Sequence, residues 1–145
     1  MSSNPKIGAE QLKVGQEYEL VVAENLSRTQ IVQYAGASGD FNPIHHDEVF
    51  ARKAGYPSVF AHGMLTMGLS GTLLTEWLGD GVLRSFGVRF VRQVWPGDTL
   101  TGKASVKSLS AGENEGLVEI ELVTSNQKGE TVVAGQATAA LPHRG

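Results

Sequence analysis

The chain has 145 residues, of which 41% are hydrophobic and 19% charged, and its net charge is −3. This length and composition predict one folded domain with a hydrophobic core and exclude an intrinsically disordered chain. The acidic balance argues against a nucleic-acid-binding surface, and the absence of cysteine excludes disulfides, thiolate metal sites and a cysteine nucleophile.

The sequence has no segment with the features of a targeting peptide or a membrane span. Residues 1–15 lack the apolar centre of a signal peptide, and no apolar run approaches the roughly 18 residues that cross a bilayer. We therefore expect a cytoplasmic protein with no membrane partner. Residues 1–10 are expected to form a flexible N-terminus, and residues 11–145 a single domain.

A strand and a helix are predicted early in the chain. Residues 18–24 have the β-branched and aromatic content of a strand. Ser27 and Gln30 have the three-residue spacing of a capping box, which predicts a helix beginning after Ser27. The turn-forming residues 36–39 are expected to end that helix.

Residues 40–45 are predicted to form a tight loop rather than a helix. Pro43 has no N–H group and pushes the preceding Asn42 towards extended geometry. Asp40 and His45, at the two ends of the loop, can both transfer protons. Asn42 is expected to shape the loop by bonding its own backbone, with a direct substrate contact as the alternative.

A short helix and a long helix are predicted next. Asp47 is expected to cap a helix over Glu48–Lys53, with Val49 and Phe50 turned inward. The long helix is predicted over residues 62–78, and its many apolar residues indicate that it is buried on most sides.

The start of the long helix is a candidate site for a group that carries negative charge. Its first N–H groups have no partner within the helix and lie at the positive end of the helix dipole. Gly63 would let a ligand approach this backbone closely. His62 lies beside it, and a packed or helix-capping role is the alternative to a substrate contact. Met64 and Trp77 could belong either to the core or to a substrate pocket.

Four strands are predicted in the remainder of the chain, over residues 82–94, 99–110, 116–125 and 131–141. Their connections are too short for parallel crossovers, so antiparallel order is expected. We predict an α+β fold in which a sheet of about five antiparallel strands wraps one long central helix. Such a sheet has exposed edges, and edge pairing between two copies would form a dimer.

Residues 34–45, with the sequence YAGASGDFNPIH, resemble the hydratase motif of the MaoC-like (R)-specific enoyl-CoA hydratases and 3-hydroxyacyl thioester dehydratases. The resemblance extends over residues 12–141 and includes VWPGDTL at residues 94–100. Residues 61–68 are especially similar to dehydratase B subunits of mycobacterial type-II fatty-acid synthesis. The resemblance implies a hot-dog fold, in which a curled antiparallel sheet wraps one long helix.

The same resemblance implies an activity and a set of site residues. Members of the family add water syn across a trans-2-enoyl thioester, or remove it from the (R)-3-hydroxyacyl thioester. The water is held by the Asp and His of the motif, which correspond to Asp40 and His45, and which of the two is the base stays open. The thioester carbonyl is bound by a backbone N–H that corresponds to Gly63. A homodimer is implied, and a heterodimer with a degenerate subunit is the alternative.

This chemistry requires no metal or redox cofactor, because the carbonyl of the substrate accepts the electrons. Coenzyme A or acyl carrier protein would enter as part of the substrate. The candidate substrate-binding residues are Asn42, His62, Met64 and Arg92. Arg84, Arg89 and Arg92 alternate with apolar residues, which fits either a solvated strand face or contacts with carrier phosphates or an acidic carrier protein.

Two other functions fit the same fold. A hot-dog thioesterase would release a free thiol from an acyl thioester, but the NPIH segment suits a water shared by two proton-transfer groups beside an alkene. A partner subunit of a heterodimeric dehydratase would be expected to have lost Asp40 and His45, and both are present.

Overall fold

The computed structural model describes residues 3–144, which form seven strands and three α-helices. The strands are β1 (Asn4–Pro5), β2 (Glu17–Ala23), β3 (Gly79–Asp80), β4 (Leu83–Phe90), β5 (Leu100–Ala111), β6 (Glu115–Ser125) and β7 (Thr131–Pro142). The helices are α1 (Arg28–Ser38), α2 (Glu48–Lys53) and α3 (Gly63–Leu78), and 3-10 turns lie at Ala9–Gln11 and Pro43–His45.

Five of the strands form one antiparallel sheet in the order β2-β5-β6-β7-β4. The alternation of apolar and polar residues along β6 places Val118, Ile120 and Leu122 on the buried face. Helix α3 packs against this face and contacts β2, β4, β5 and β7. The predicted α+β architecture, with a five-stranded antiparallel sheet around one long helix, is confirmed.

The middle of α3 approaches the sheet closely. A Cβ atom built on Gly71 would lie 3.2 Å from the ring of Phe86 on β4. Ser70 Oγ lies 2.7 Å from Thr124 Oγ1 on β6, and both residues are fully buried. The small residues in this part of α3 therefore set the spacing between helix and sheet.

One side of α3 is nevertheless open. Residues spaced by four lie on one face of a helix, and this exposed face carries Met64, Gly68, Thr72 and Glu76. Trp77 lies on the opposite side and stacks on Tyr18 of β2 with ring centroids 5.4 Å apart. Trp77 thus belongs to the core.

The cap of α2 matches its prediction, but the buried side of this helix does not. Asp47 Oδ1 accepts a hydrogen bond from Phe50 N at 3.1 Å, so Asp47 is the N-cap. Val49 and Phe50 are 65% and 44% exposed, whereas Ala51 is completely buried. The prediction that Val49 and Phe50 face inward is wrong. Val49 and Ala51 are two residues apart, and such residues point about 200° apart on a helix. Burial of Ala51 therefore turns Val49 outward.

Strand β4 ends at Phe90, four residues earlier than predicted. The N–H groups of Val91 and Arg92 both donate to the carbonyl of Val132, so the alternating ladder with β7 stops here. Arg92 consequently lies in the connection after β4, whereas Arg84 and Arg89 lie on the strand.

The N-terminal segment is attached to the end of α3. Strand β1 pairs antiparallel with β3, which directly follows α3. Lys6 N donates to the carbonyl of Leu78, and Lys6 Nζ donates to the carbonyl of Glu76. Flexibility of residues 1–10 stays a prediction, and residues 1 and 2 lie outside the described range. Within residues 3–144, no helix is both long enough and apolar enough to cross a membrane.

Candidate active site

The loop between α1 and α2 is shaped by short polar side chains that bond nearby backbone groups. Helix α1 ends at Gly39, which adopts a left-handed conformation with φ 77°. Asp40 Oδ1 accepts from Asn42 N, and Asn42 Oδ1 accepts from Ile44 N at 3.2 Å. Asn42 therefore shapes the loop through its own backbone, as one of the two alternatives for this residue predicted.

His45 is held at the end of this loop by a hydrogen bond to a distant backbone group. Its side chain is buried, and Nδ1 lies 2.6 Å from the carbonyl oxygen of Phe60. Because a carbonyl oxygen only accepts hydrogen bonds, Nδ1 carries the proton. Nε2 of neutral His45 then has a free lone pair and can accept a proton.

The surroundings of His45 favour its neutral form. Burial lowers the pKa of His45 below its ordinary value of 6.5, and the carbonyl of Phe60 opposes this shift. Among the neighbouring charges, His62 and His46 lower the pKa and Asp40 raises it. The net result is a histidine that is ready to accept a proton at neutral pH.

His62 lies against both ends of the loop. Its Nε2 atom donates to the backbone carbonyl of Asp40 at 3.1 Å, and its ring stacks on His45 with centroids 3.8 Å apart. The ring of Tyr34, on α1, packs edge-on against the ring of His62, with centroids 4.8 Å apart. His62 occupies the N-cap position of α3, but its side chain makes no capping hydrogen bond. Its side chain is only 1% exposed, so it is enclosed by protein.

Asp40, His45 and His62 therefore form one cluster. One ligand-type atom of each residue lies within 4.8 Å of those of the other two. A carboxylate and two imidazoles could also ligate a divalent cation. His45 Nδ1 and His62 Nε2 are already bonded to carbonyl oxygens, so one nitrogen of each ring remains for such a role. The expectation that the protein uses no metal stays a prediction.

Gly63 begins α3 directly beside this cluster. As the first helical residue, its N–H group has no partner within the helix. It borders a cleft of about 290 Å³, whose other walls include Phe60, Thr66 and Phe90. His45 adjoins the cleft through Phe60, whose ring it meets edge-on at 5.2 Å. The cluster and the free helix start are thus joined through His62, the residue directly before Gly63.

The other predicted substrate-binding residues are not all brought to this cleft. Arg92 lines it, and its Nε atom lies 3.9 Å from the carboxylate of Glu130. Met64 is 55% exposed and does not belong to the cleft wall. Arg89 lies on the sheet, in the wall of a different groove.

That groove is larger, at about 800 Å³, but it contains no proton-transfer cluster. Its walls come from β4, β6 and β7 and include Arg89, Glu121 and Gln136. It shares no residue with the cluster of Asp40, His45 and His62 or with the cleft at Gly63. Chemistry rather than volume therefore identifies the candidate site.

Three residues with clear positions in the site were missed by the sequence analysis. Phe60 fixes His45 through a backbone carbonyl, a group that every residue has and that gives no sequence signal. Phe90 covers Gly63 from a strand that is distant in sequence. Tyr34 contacts His62, and its place at the start of the motif YAGASGD was the one available signal.

Comparison with known proteins gives a consistent assignment. The family described as "MaoC like domain" matches residues 9–128. The chain is 33% identical over 138 residues to an (R)-specific enoyl-CoA hydratase of Rhodospirillum rubrum, across 94% of this chain and 92% of the relative. It is 32% identical over 118 residues to a mitochondrial 3-hydroxyacyl-acyl-carrier-protein dehydratase of Arabidopsis thaliana, across 81% of this chain and 71% of the relative.

A solved structure shows the same fold. The (R)-hydratase from A. caviae involved in PHA biosynthesis has a TM-score of 0.81 to this chain at 30% identity. The match covers 92% of this chain and 99% of that one.

Proposed function

The chain belongs to the family of MaoC-like domains, and from this membership we propose that it catalyses the reversible syn hydration of trans-2-enoyl thioesters to (R)-3-hydroxyacyl thioesters. Its relatives are named hydratases and dehydratases, so the protein is a hydro-lyase by class. The observation that supports the specific reaction is the placement of Asp40 and His45 beside the free N-terminus of α3.

Hydration of an enoyl thioester requires a proton-accepting pair and a site for an enolate oxygen. In the proposed reaction, one water molecule donates its hydrogens to the Asp40 carboxylate and to Nε2 of His45. As the water oxygen bonds to C3, one of its protons passes to this pair, and a proton returns from the pair to C2 on the same face. Positioned proton transfer of this kind accelerates reactions by about 10²–10⁴-fold.

The start of α3 supplies the second requirement. Electrons from the C2–C3 double bond move onto the thioester oxygen as the C3–O bond forms. The N–H of Gly63 donates to that oxygen, and a donor placed in this way contributes about 3 kcal/mol to the transition state. The substrate carbonyl is thus the electron sink, and we propose that no further cofactor takes part.

We propose that the acyl group is carried by coenzyme A or by acyl carrier protein. The similar proteins named above act on coenzyme A and on acyl-carrier-protein thioesters. Both carriers bear a phosphorylated pantetheine arm, and Arg92 lies on the wall of the cleft that contains Gly63. We propose that Arg92 contacts phosphate of the carrier.

A dimer is the assembly that we propose. Strands β2 and β4 lie at the two edges of the five-stranded sheet, so each has one side without a strand neighbour among residues 3–144. Pairing between copies would cover such an edge. Light scattering coupled to size-exclusion chromatography would give the mass, and a single homogeneous monomer at micromolar concentration would contradict the dimer. A cytoplasmic location likewise stays a prediction.

The test of the proposed reaction is hydration of crotonyl-CoA, followed by loss of absorbance of the conjugated thioester. Asp40→Asn and His45→Gln should each lower kcat by about 10²–10⁴-fold while the protein remains folded. His143→Gln is the matched control, because His143 is a half-exposed histidine that contacts Glu10 and Gly112 away from the cleft. Wild-type rates in both site variants would overturn the proposal.

Two further measurements separate the alternative functions. Release of free thiol from acyl-CoA would identify a thioesterase, because hydration leaves the thioester bond intact. Purified protein that becomes active only after a second MaoC-like subunit is added would identify a partner in a heterodimer.

A further inference from the structure

We propose that His62 is a positioning residue, which holds Asp40 and His45 in register with the start of α3 and does not touch the substrate. The inference rests on the proposed function and concerns the same site. It favours a packed role for His62 over a substrate contact, the two alternatives that the sequence left open.

Burial separates the side chain of His62 from a substrate in the cleft. The side chain of His62 is 1% exposed, whereas Gly63, the next residue, is exposed at the cleft. His62 is enclosed by the ring of Tyr34 at 4.8 Å and by the ring of His45 at 3.8 Å. A substrate at Gly63 would therefore meet the backbone of α3 and the walls of the cleft, with the His62 side chain behind them.

His62 also donates a hydrogen bond to the loop that carries Asp40. Nε2 lies 3.1 Å from the carbonyl oxygen of Asp40, which only accepts, so Nε2 carries the proton. This bond joins residues 22 positions apart in the chain and connects the N-cap of α3 to the loop. The backbone of Asp40, and with it the carboxylate, is thus tied to the helix that begins at Gly63.

The ring of His62 also stacks on the ring of His45. The two planes are inclined by 26°, so His62 covers one face of the His45 ring. The carbonyl of Phe60 holds the edge of that ring through Nδ1. With one face and one edge fixed, rotation of His45 is restricted and Nε2 is kept directed towards the pair's shared water.

The remaining nitrogen of His62 carries a cost in stability. Nδ1 is buried and has no hydrogen-bond partner among residues 3–144. Leaving a buried polar atom unpaired is unfavourable, and natural proteins do so rarely. The unpaired atom lies at a position that links Asp40, His45 and Gly63. A loss of stability is expected at a position where a side chain orients the residues of an active site.

A matched pair of variants separates positioning from substrate contact. In His62→Gln, the amide nitrogen reaches about as far as Nε2 and can still donate to the carbonyl of Asp40. In His62→Asn, the shorter side chain cannot reach it, while both variants lose the aromatic ring. Because a displacement of about 1 Å can cost about 10²-fold in rate, we expect kcat to fall by about 10²-fold in the Asn variant and by about tenfold in the Gln variant. KM should stay within about twofold of the wild-type value in both.

The pKa of His45, measured by NMR titration of its ring protons, is the readout that does not depend on activity. The groups facing His45 are Asp40, His46 and His62, and His62 contributes to lowering its pKa. Both variants should therefore raise the pKa of His45. In amide spectra of the same samples, the signals of residues 39–42 should shift more in the Asn variant than in the Gln variant.

Three outcomes would overturn the inference. KM could rise about tenfold with kcat unchanged, which is the result of a lost substrate contact. Alternatively, kcat could stay at the wild-type value in both variants, or it could fall equally in both, so that the hydrogen bond would have no role. If the wild-type protein hydrates no enoyl thioester, the proposed reaction has failed, and the NMR comparison still decides whether His62 positions the loop and His45.

Discussion

The ring of Phe90 lies directly over Gly63, where a Cβ atom would sit 3.1 Å from two carbons of the ring. Contacts this short are rare for real side chains, so an added methyl group would displace the ring. The same methyl group would stand beside the N–H that the proposed reaction directs at the thioester oxygen.

Gly63→Ala should therefore lower kcat/KM by about 10²-fold, a loss similar to that of one oxyanion donor. Gly68→Ala is the matched control, because Gly68 lies on the exposed face of the same helix and a Cβ there meets nothing within 4 Å. This control should keep full activity and gain about 0.5–1 kcal/mol in stability, since alanine is a better helix former. Steady-state kinetics and urea unfolding measure the two effects, and equal activities in the two variants would contradict the role of Gly63.

The lowered pKa of His45 predicts the pH dependence of the rate. Neutral His45 accepts a proton from water, so kcat/KM should be constant near pH 7 and fall as pH decreases through a pKa below 6.5. His46→Gln should move this acid limb to higher pH, because His46 contributes to lowering the pKa of His45. A limb that is absent down to about pH 5, or that moves to lower pH in the variant, would contradict this assignment.

Arg92 and Arg89 provide a test of carrier recognition. Arg92 lines the cleft of Gly63, whereas Arg89 lines the separate groove on the sheet. Arg92→Gln should raise KM for crotonyl-CoA by about three- to tenfold and leave KM unchanged for the N-acetylcysteamine thioester, which has no phosphate. Arg89→Gln should leave both values unchanged. An equal increase of KM for the two substrates in Arg92→Gln would show that phosphate is not what Arg92 binds.

The hydroxyl pair between α3 and the sheet predicts a coupled effect on stability. Ser70 Oγ and Thr124 Oγ1 lie 2.7 Å apart in the core and satisfy each other. Ser70→Ala leaves the Thr124 hydroxyl buried without this partner, which should cost about 1–3 kcal/mol of unfolding free energy. Adding Thr124→Val removes the unpaired hydroxyl and should recover most of the loss. Urea unfolding of the two single variants and the double variant measures the coupling, and strictly additive losses would contradict it.

The sequence predicted the elements of the site better than the contacts among them. Asp40 and His45 are close in sequence, and the turn at Pro43 brings them together, so their pairing could be anticipated. The bonds that orient them come from Phe60 and His62, which are 15 and 22 residues away along the chain from their partners. Hydrogen bonds to backbone carbonyls and ring stacking between residues so far apart depend on how α3 packs against the rest of the fold. No local sequence pattern predicts this packing.

The three arginines show a second limit. They were interpreted as one strand face, but separations of five and three residues place Arg89 on the face opposite to Arg84 and Arg92 in a regular strand, and the ladder of β4 with β7 ends at Phe90. Arg92 consequently turns to the cleft, and Arg89 remains on the sheet. The end of a strand is set by its partner's hydrogen bonds, here those of Val132, and a single sequence gives no direct view of the partner.

Lys6 has a consequence for the electrostatics of α3 as a whole. Its N–H and its ammonium group occupy the carbonyls of Leu78 and Glu76, so a positive charge sits at the negative pole of the helix. The positive pole, at Gly63, faces the cleft. The charge of Lys6, which also lies 3.8 Å from the Glu76 carboxylate, thus offsets part of the helix dipole at the C-terminal end of α3. The N-terminal end at Gly63, about 22 Å away at 1.5 Å per residue, stays open to the cleft.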